Sequence, residues 1–327
     1  MNPAEPALIA EAVAVLARGG LVAFPTETVY GLGADARNPS AVRRIFAVKR
    51  RPAAHPLIVH VGHVSELAAV AREVPEVATR LAARFWPGPL TLIVPRGERV
   101  PLEVTGGQDT VAVRVPQHPL ALALLARFGA GVAAPSANRF GAVSPTRAEH
   151  VRRDLGAEVD LVLDGGACEV GLESTIIDVS RGYAQLLRPG GVSVEAIEAE
   201  LGGPLERDAE VVVRAPGQLA SHYATRAQLL VVSPAELESR AAVLSAQGAR
   251  LGVLAPTGTV IPEVRASLLI PADPAGYARA LYESLRGLDD QGVDAILVVA
   301  PSKQGLGLAV ADRLSRAAAP RGHESAD

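Results

Sequence analysis

The chain has 327 residues, 49% of them hydrophobic and 20% charged, with a formal net charge of −3. This length predicts about two domains, and the small negative charge argues against a protein that coats nucleic acid. A single cysteine, Cys168, excludes an intramolecular disulfide and fits a reducing compartment. The apolar runs are too short to span a bilayer, and the acidic N-terminus is unlike a signal peptide. We therefore expect a cytoplasmic protein with no membrane contact.

The first part of the chain mixes helical and strand patterns. A helix is predicted over residues 6–16, a strand over 21–24, and a helix that begins at Asn38-Pro39-Ser40 and extends through Ala47. Further helices are predicted over 65–71, 77–85, 119–127 and 193–201. Strands are predicted over 57–61, 91–94, 110–115, 131–134, 161–163, 175–178 and 185–187. The short links between strands favour a twisted mixed α/β sheet over a purely parallel one.

The last third of the chain shows a different pattern of predicted helices and strands. Residues 204–227 have no amphipathic period and predict a linker. After it, strands over 229–232, 251–255, 268–270 and 295–300 alternate with helices over 234–245, 274–288 and 306–317. This alternation predicts a smaller, parallel, Rossmann-like second domain. The predicted boundaries are 1–203 for the first domain, 204–227 for the linker, 228–318 for the second domain and 319–327 for a tail.

Several common motifs are absent from the sequence. There is no GxxxxGK[ST] phosphate loop and no GxSxG nucleophile turn, and Gly31-Leu32-Gly33 is an isolated GxG. The seven histidines show no metal-ligand spacing, and one cysteine cannot build a structural zinc site. A serine hydrolase and a structural zinc site are therefore disfavoured.

Polar side chains follow the strand that ends at Phe24. The segment Pro25-Thr26-Glu27-Thr28 places hydroxyls and a carboxylate ahead of Gly31, in what we predict to be a glycine-containing turn. Loops at strand ends are common ligand sites. The same pattern also fits a strand terminus closed by side-chain hydrogen bonds to the backbone. Both interpretations remain open at this level.

A basic cluster lies in and just beyond the predicted helix that ends near Ala47. Its members Arg43, Arg44, Lys49, Arg50 and Arg51 fall within nine residues that hold no acidic residue, and His55 lies close behind. A charge-assisted contact to phosphate contributes about 1.5–3 kcal/mol, against about 0–1 kcal/mol for an exposed ion pair. The cluster therefore favours a polyanionic ligand for Lys49 and Arg51. Pairing with the helix dipole explains one or two of these cations equally well.

Two further segments could bind an anion. Ala134-Pro135-Ser136-Ala137-Asn138 follows an apolar strand, and Ser144 follows eight residues after Ser136. Small hydroxyl and amide groups bind phosphate or a base edge, although Ser144 could instead be the N-cap of a helix that begins near Pro145. Arg114 lies within the strand pattern VAVRV, where a buried guanidinium needs an anion. That anion is either an internal carboxylate or a substrate.

The motifs taken together resemble one family. The ordered series PTETVYGLG, KRRP, HPLIVHV, WPGPLT, VAVRVP, APSAN, SPT, ESTIID and LLRPG, over residues 20–191, is similar to the YrdC/Sua5 family. The HY-containing linker and the Rossmann-like C-terminal part resemble the long, Sua5-type branch. The resemblance implies a twisted mixed sheet of YrdC type with a basic concave face. It also implies synthesis of threonylcarbamoyl-AMP and pyrophosphate from L-threonine, bicarbonate and ATP, for tRNA t6A37 biosynthesis.

The resemblance also implies residue roles. Lys49 and Arg51 would supply catalytic charge, with Mg2+ bound to ATP and no protein ligand assigned to it. A downstream tRNA threonylcarbamoyl transferase complex would receive the product, and a weak tRNA contact is possible. L-threonine would be bound by Thr28, His60, Arg114 and Ser174. ATP would be bound by Lys49, Arg51, His55, Thr110, Ala134, Ser136, Asn138, Ser144, Arg188 and Tyr223.

Two positions depart from the family pattern. His55 stands where asparagine is common, so that contact can depend on pH. Thr225 replaces the proline of the usual HYAP linker, which removes a backbone restraint beside Tyr223.

Two other functions compete with the synthase. One is a non-catalytic protein that binds double-stranded RNA or tRNA on its basic face, for which Arg114 in a strand has no use. The other is carbamoyl transfer, as in larger relatives with zinc fingers, which one cysteine cannot build.

Overall fold

The computed structural model describes residues 5–206, 213–217 and 221–320. The chain forms two compact units, one from residues 1–140 and 145–218 and the other from residues 141–144 and 219–327. The second unit thus includes a four-residue segment from the middle of the first. The predicted limits of the linker and of the tail stay a prediction, because residues 207–212, 218–220 and 321–327 lie outside the described residues.

The first unit is built on one mixed sheet of nine strands, in the order β7-β1-β2-β6-β3-β5-β4-β8-β9. Three pairs are parallel (β1 with β7, β3 with β5, β4 with β8) and the other five are antiparallel. The predicted mixed sheet is therefore confirmed. Its strands are β1 Val22–Phe24, β2 Gly31–Asp35, β3 Ile58–His60, β4 Leu90–Pro95, β5 Thr110–Arg114, β6 Val132–Ala133, β7 Leu161–Val162, β8 Thr175–Asp178 and β9 Gln185–Arg188.

Eight helices accompany this sheet in the described part of the first unit. They are α1 Glu5–Ala17, α2 Pro39–Lys49, α3 Leu67–Val70, α4 Glu76–Phe85, α5 Leu102–Thr105, α6 Pro119–Phe128, α7 Ala148–Leu155 and α8 Val194–Leu201. The predicted start of α2 is confirmed, since the Asn38 side chain accepts hydrogen bonds from the N–H groups of Ser40 and Ala41. Helix α2 ends at Arg50, whose φ of 53° is left-handed. Helices α1 and α6 pack together over β1 and β6 in one apolar cluster.

Three sequence predictions need correction. Gly31–Asp35 is a strand and not a turn, because β1 and β6 pair with it on either side. The single helix predicted over 65–71 is a 3-10 turn, Val64–Glu66, followed by the short α3. Ser144 is not an N-cap, because α7 begins at Ala148 after Arg147. The small helix α5 lacks a clear apolar period and was not predicted.

The second unit contains a parallel four-stranded sheet, in the order β10-β13-β11-β12. Its faces alternate along the strands: Val253 packs with Leu237 and Ala241 of α9, whereas a side chain at Gly252 would meet Leu288 of α10. Helices thus cover both faces, and the predicted doubly wound fold is confirmed. Its elements are β10 Gln228–Val232, α9 Leu237–Ala246, β11 Leu251–Pro256, β12 Ala266–Ile270, α10 Pro274–Asp290, β13 Ala295–Val299 and α11 Gly307–Ala318.

Among the described helices, none is both long enough and apolar enough to cross a bilayer.

Candidate active site

The loop after β1 is held by its own hydroxyl groups. Thr26 Oγ1 donates to the Val29 carbonyl at 2.7 Å and accepts from the backbone N–H groups of Thr28 and Val29 at 3.2 Å each. Thr28 Oγ1 lies 2.7 Å from Thr26 Oγ1. Because the Thr26 proton is committed to Val29, Thr28 is the donor in this contact. The Thr28 hydroxyl is thereby fixed in orientation and remains an acceptor for another donor.

Arg114 is that donor, and it also has an internal carboxylate partner. Its Nη1 donates to Thr28 Oγ1 at 2.9 Å, and its Nε donates to the Gly88 carbonyl at 3.1 Å. Its Nη2 forms a 2.7 Å ion pair with Oε1 of Glu27. Each nitrogen thus has one partner oxygen, but the contact of Nη2 with Glu27 is an ion pair without hydrogen-bond geometry, and a guanidinium carries five N–H groups. At least one N–H on each terminal nitrogen therefore has no acceptor among the described residues, so pairing with Glu27 does not use up the donors that a substrate carboxylate would need.

His60 lies beside Arg114 in the sheet. The two residues are register partners across the parallel pair of β3 and β5. Burial, and secondarily the charge of Arg114, lowers the pKa of His60 to about 3. His60 is therefore a neutral imidazole at physiological pH. Its Nδ1 is buried and has no hydrogen-bond partner within residues 5–206, 213–217 and 221–320.

Ser174 and Arg188 are in direct contact. Nε and Nη2 of Arg188 donate to the Ser174 carbonyl at 3.2 and 2.9 Å, and Nη1 donates to the Pro216 carbonyl at 3.0 Å. The Ser174 hydroxyl lies 2.7 Å from Thr91 Oγ1. A residue predicted to bind threonine and one predicted to bind ATP therefore meet at the end of β9, next to the start of β8.

Lys49 holds the loop that follows β6 through hydrogen bonds to its backbone. Its Nζ donates to the Ser136 carbonyl at 2.6 Å and to the Asn138 carbonyl. The ammonium is only 1% exposed. Burial, and secondarily the charge of Arg51, holds the pKa of Lys49 well below its usual value. The structure thus places Lys49, Ser136 and Asn138 together, and leaves one of the three ammonium donors for a further partner.

The basic cluster divides into two groups. Arg43 and Arg44 form ion pairs with Glu103 at 2.7 Å and with Asp160 at 3.0 Å, and Arg50 ends α2 and is exposed. Lys49 and Arg51 are instead buried. Helix capping and surface pairing therefore account for three of the cations, and the two predicted to meet phosphate are the two that the fold buries.

Arg51 and His55 lie against the same aromatic ring. Arg51 Nη2 donates to the Pro56 carbonyl at 3.0 Å, and its Cζ lies 5.4 Å from the centre of the Phe140 ring. The His55 ring is 5.4 Å from that centre, edge to face. Phe140 is a residue that the sequence analysis missed. Its position just beyond APSAN, among few aromatics, was the available signal.

The remaining predicted ATP residues are more scattered. Thr110 opens β5 opposite Pro95 and is half-buried. The Ala134 N–H donates to the Ile58 carbonyl at 2.9 Å. Ser144 is fully buried and belongs to the short segment that the second unit includes.

Tyr223 is packed among residues of its own unit. Its ring stacks on Tyr282 at 5.9 Å, and the Cζ of Arg313 lies 5.2 Å from its centre. The backbone φ of 62° is left-handed, which is unusual for a bulky side chain. The residue is 1% exposed. Contact between this ring and a nucleotide would therefore require the ring to leave its present packing.

Cys168 is unsuited to catalysis as a thiolate. Burial, and secondarily the charge of Glu27, raises the pKa of the Cys168 thiol to about 12. Cys168 is therefore a protonated, buried thiol.

These features define a two-unit α/β protein whose first unit gathers buried cations and fixed hydroxyls suited to a small anion. Comparison with known protein families identifies the family of this chain. The chain belongs to the Sua5/YciO/YrdC family: a family model described as "Telomere recombination" matches residues 14–190. A second model, described as "Threonylcarbamoyl-AMP synthase, C-terminal domain", matches residues 192–319.

Full-length relatives and solved structures agree with this assignment. The threonylcarbamoyl-AMP synthase of Pyrococcus abyssi is 43% identical over 95% of this chain and 94% of its own length. That of Bacillus subtilis is 41% identical over 96% and 93%. A crystal structure of P. abyssi Sua5 complexed with L-threonine superposes with a TM-score of 0.90 at 42% identity, covering 95% of this chain and 94% of that one. Escherichia coli YciO covers 58% of this chain and 91% of its own, at 29% identity and a TM-score of 0.51.

Proposed function

We propose that this protein is an L-threonylcarbamoyladenylate synthase. The amine of L-threonine combines with bicarbonate to give a carbamate with loss of water, and the carbamate reacts with ATP to give threonylcarbamoyl-AMP and pyrophosphate. One observation carries the proposal: in a chain similar over 95% of its length to a threonylcarbamoyl-AMP synthase, Arg114 is buried and held by Thr28 and Glu27, with N–H groups left on both terminal nitrogens for a carboxylate.

The threonine end of the site is assigned to Thr28, His60, Arg114 and Ser174. The carboxylate of threonine takes one free N–H group on each terminal nitrogen of Arg114, in the two-pronged geometry that guanidinium groups favour. The neutral imidazole of His60 offers a buried nitrogen that can accept a hydrogen bond from the substrate. The amino acid is thereby held by its backbone groups, with its amine free to form the carbamate.

The phosphate end is assigned to Lys49, Arg51 and Arg188. The carbamate is already an anion, so its attack on the α-phosphate needs charge neutralisation and alignment and no general base. Burial, and secondarily the charge of Arg51, lowers the pKa of Lys49, and a phosphate group would favour its charged form. We assign Mg2+ to the phosphates of ATP and name no protein ligand for it. The other ATP contacts are His55, Thr110, Ala134, Ser136, Asn138, Ser144 and Tyr223.

The product is a mixed anhydride that water hydrolyses. A segment that covers the site would exclude water and keep the product intact. We assign that role to the linker that carries Tyr223. Transfer of the threonylcarbamoyl group to adenosine 37 of tRNA is assigned to a separate transferase complex in the cytoplasm.

The test is release of pyrophosphate from ATP and Mg2+, with and without L-threonine and bicarbonate. We expect release to require both, and to fall at least about a hundredfold in Lys49→Ala and Arg51→Ala proteins, because each removes a buried charge from the phosphate site. Arg43→Ala removes an exposed arginine of the same cluster and should leave the rate unchanged.

A rate of ATP turnover that does not respond to threonine and bicarbonate would refute the synthase. Tight binding of tRNA that weakens steeply with salt would then support the non-catalytic RNA-binding alternative.

A further inference from the structure

We propose that Glu27 is a positioning residue for substrate binding: its carboxylate holds the guanidinium of Arg114 in the orientation that receives the carboxylate of the amino acid. The inference rests on the proposed function, because it concerns how that substrate is recognised. Glu27 is not among the residues that the family motifs assign to a ligand in this chain.

Glu27 is fixed from three directions. Its Oε1 forms the 2.7 Å ion pair with Arg114, and its Oε2 accepts the backbone N–H of Gln117 at 3.0 Å. Its own carbonyl accepts the N–H of Val170 at 2.7 Å. The residue is 3% exposed, as is Arg114. The carboxylate therefore cannot rotate away from the guanidinium without breaking a buried contact.

The three partners of Arg114 define the plane of its guanidinium. Gly88 and Thr28 contribute neutral oxygens, and Glu27 is the one charged partner of Arg114 in the described part of the chain. A buried cation without a counter-ion is strongly unfavourable. Glu27 therefore keeps Arg114 both dehydrated and oriented before the substrate arrives, so the substrate carboxylate meets a prearranged pair of N–H groups.

The carboxylate of Glu27 could either balance the charge of Arg114 or hold its guanidinium in one orientation, and two substitutions distinguish these roles. If Glu27 only balanced charge, any nearby carboxylate would serve. If it positions Arg114, its reach matters, because the 2.7 Å contact depends on where the oxygen stands. Glu27→Gln removes the charge and keeps the shape, whereas Glu27→Asp keeps the charge and withdraws the oxygen by one methylene.

The experiment is calorimetric binding of L-threonine, of L-threoninol (in which CH2OH replaces the carboxylate) and of ATP to the full-length protein. We expect both variants to bind L-threonine at least about tenfold more weakly. Their preference for L-threonine over L-threoninol should fall by a similar factor, because only the carboxylate is read by Arg114. ATP affinity should stay close to wild type. The melting temperature should fall in Glu27→Gln, which leaves Arg114 buried without its carboxylate partner, and should fall less in Glu27→Asp, which keeps the charge. Glu103→Gln is the matched control, since Glu103 has an ion pair of the same 2.7 Å length at the surface.

Unchanged threonine affinity in Glu27→Gln would overturn the proposal, and so would normal affinity in Glu27→Asp. An equal loss of threonine and ATP affinity with a lower melting temperature would assign Glu27 to folding alone and also overturn it. Binding needs no turnover, so the two proposals separate. Glu27-dependent threonine binding without threonine-dependent pyrophosphate release would sustain this inference and refute the synthase, whereas a wild type that binds no threonine would refute both.

Discussion

His60 is a buried histidine whose ionisation should oppose folding. Its pKa of about 3 in the folded chain lies below 6.5, the usual value for histidine, so between these values the unfolded chain binds the extra proton. Stability contributed by this group is therefore lost as pH falls below about 6.5 and is constant above it. We expect wild type to lose about 2 kcal/mol more than His60→Gln between pH 7.5 and pH 5. Urea denaturation at the two pH values measures the difference.

The control for His60 is His63→Gln. His63 is exposed and caps the short 3-10 turn with its side chain. That variant should show the acid sensitivity of wild type. The same sensitivity in His60→Gln would contradict the assignment of a neutral, buried imidazole.

Lys49 should make the stability of the protein depend on pH in the alkaline range. Because burial lowers its folded pKa below 10.5, the unfolded chain retains a proton that the folded chain releases over the window between the two values. Stability from this group therefore rises as pH increases through that window. We expect wild type to gain stability relative to Lys49→Met between pH 7 and pH 9.5, as measured by urea denaturation. Saturating ATP and Mg2+ should reduce the gain, since phosphate stabilises the charged amine. A difference that is flat with pH would contradict this account.

The sequence predicted which side chains need a binding partner, but it did not predict which residue that partner is. The sequence indicated that Arg114 needs an anion, and left an internal carboxylate and a substrate as alternatives. Glu27 was visible in the PTET segment, but 87 positions separate the two residues, and their contact depends on how the loop after β1 folds. The burial of Lys49 and Arg51, as against the pairing of Arg43 and Arg44, likewise depends on tertiary neighbours.

At the scale of elements, β2 depends on the absence of a side chain. A Cβ at Gly33 would lie 2.7 Å from Cγ1 of Val132 and 2.8 Å from Cε1 of Phe24. Both neighbours are buried and cannot move aside freely. Gly33→Ala should therefore destabilise the protein by about 1–3 kcal/mol through overpacking. Gly203→Ala, with no atom within 4 Å of the new carbon, should change stability by less than about 0.5 kcal/mol. Equal denaturation midpoints for the two variants would show that β2 tolerates the extra carbon.

Elements specified by local chemistry were predicted well, and elements specified by distant partners were not. The α2 start follows from the Asn38 side chain and Pro39, and the α8 start from Ser193, both within one helical turn. Strand β2 has glycines where strands prefer branched side chains, and it exists because β1 and β6 pair with it. Ser144 has the chemistry of an N-cap, but the helix begins later.

At the scale of the whole molecule, the two compact units are not two consecutive stretches of the chain, because residues 141–144 belong to the second unit. Within the second unit, the Ala224 N–H donates to the Gly141 carbonyl at 2.8 Å, and Arg286 donates to the Val143 carbonyl. The residues joined are far apart in sequence, and residues 141–144 carry no helical or strand period. The sequence therefore indicated two domains but gave no signal that this segment belongs with the second.

Tyr223 gives the test of whether the linker protects the product. If its ring covers the nucleotide during the reaction, Tyr223→Ala should release pyrophosphate at near the wild-type rate but yield less intact threonylcarbamoyl-AMP, because water reaches the anhydride. The measurement is the ratio of intact adenylate to pyrophosphate in one reaction. Tyr183→Ala, at a tyrosine that is 38% exposed in the first unit, controls for loss of a ring. An unchanged ratio in Tyr223→Ala would confine this residue to packing against Tyr282 and Arg313, whereas a lower ratio with normal pyrophosphate release would support its role in covering the product.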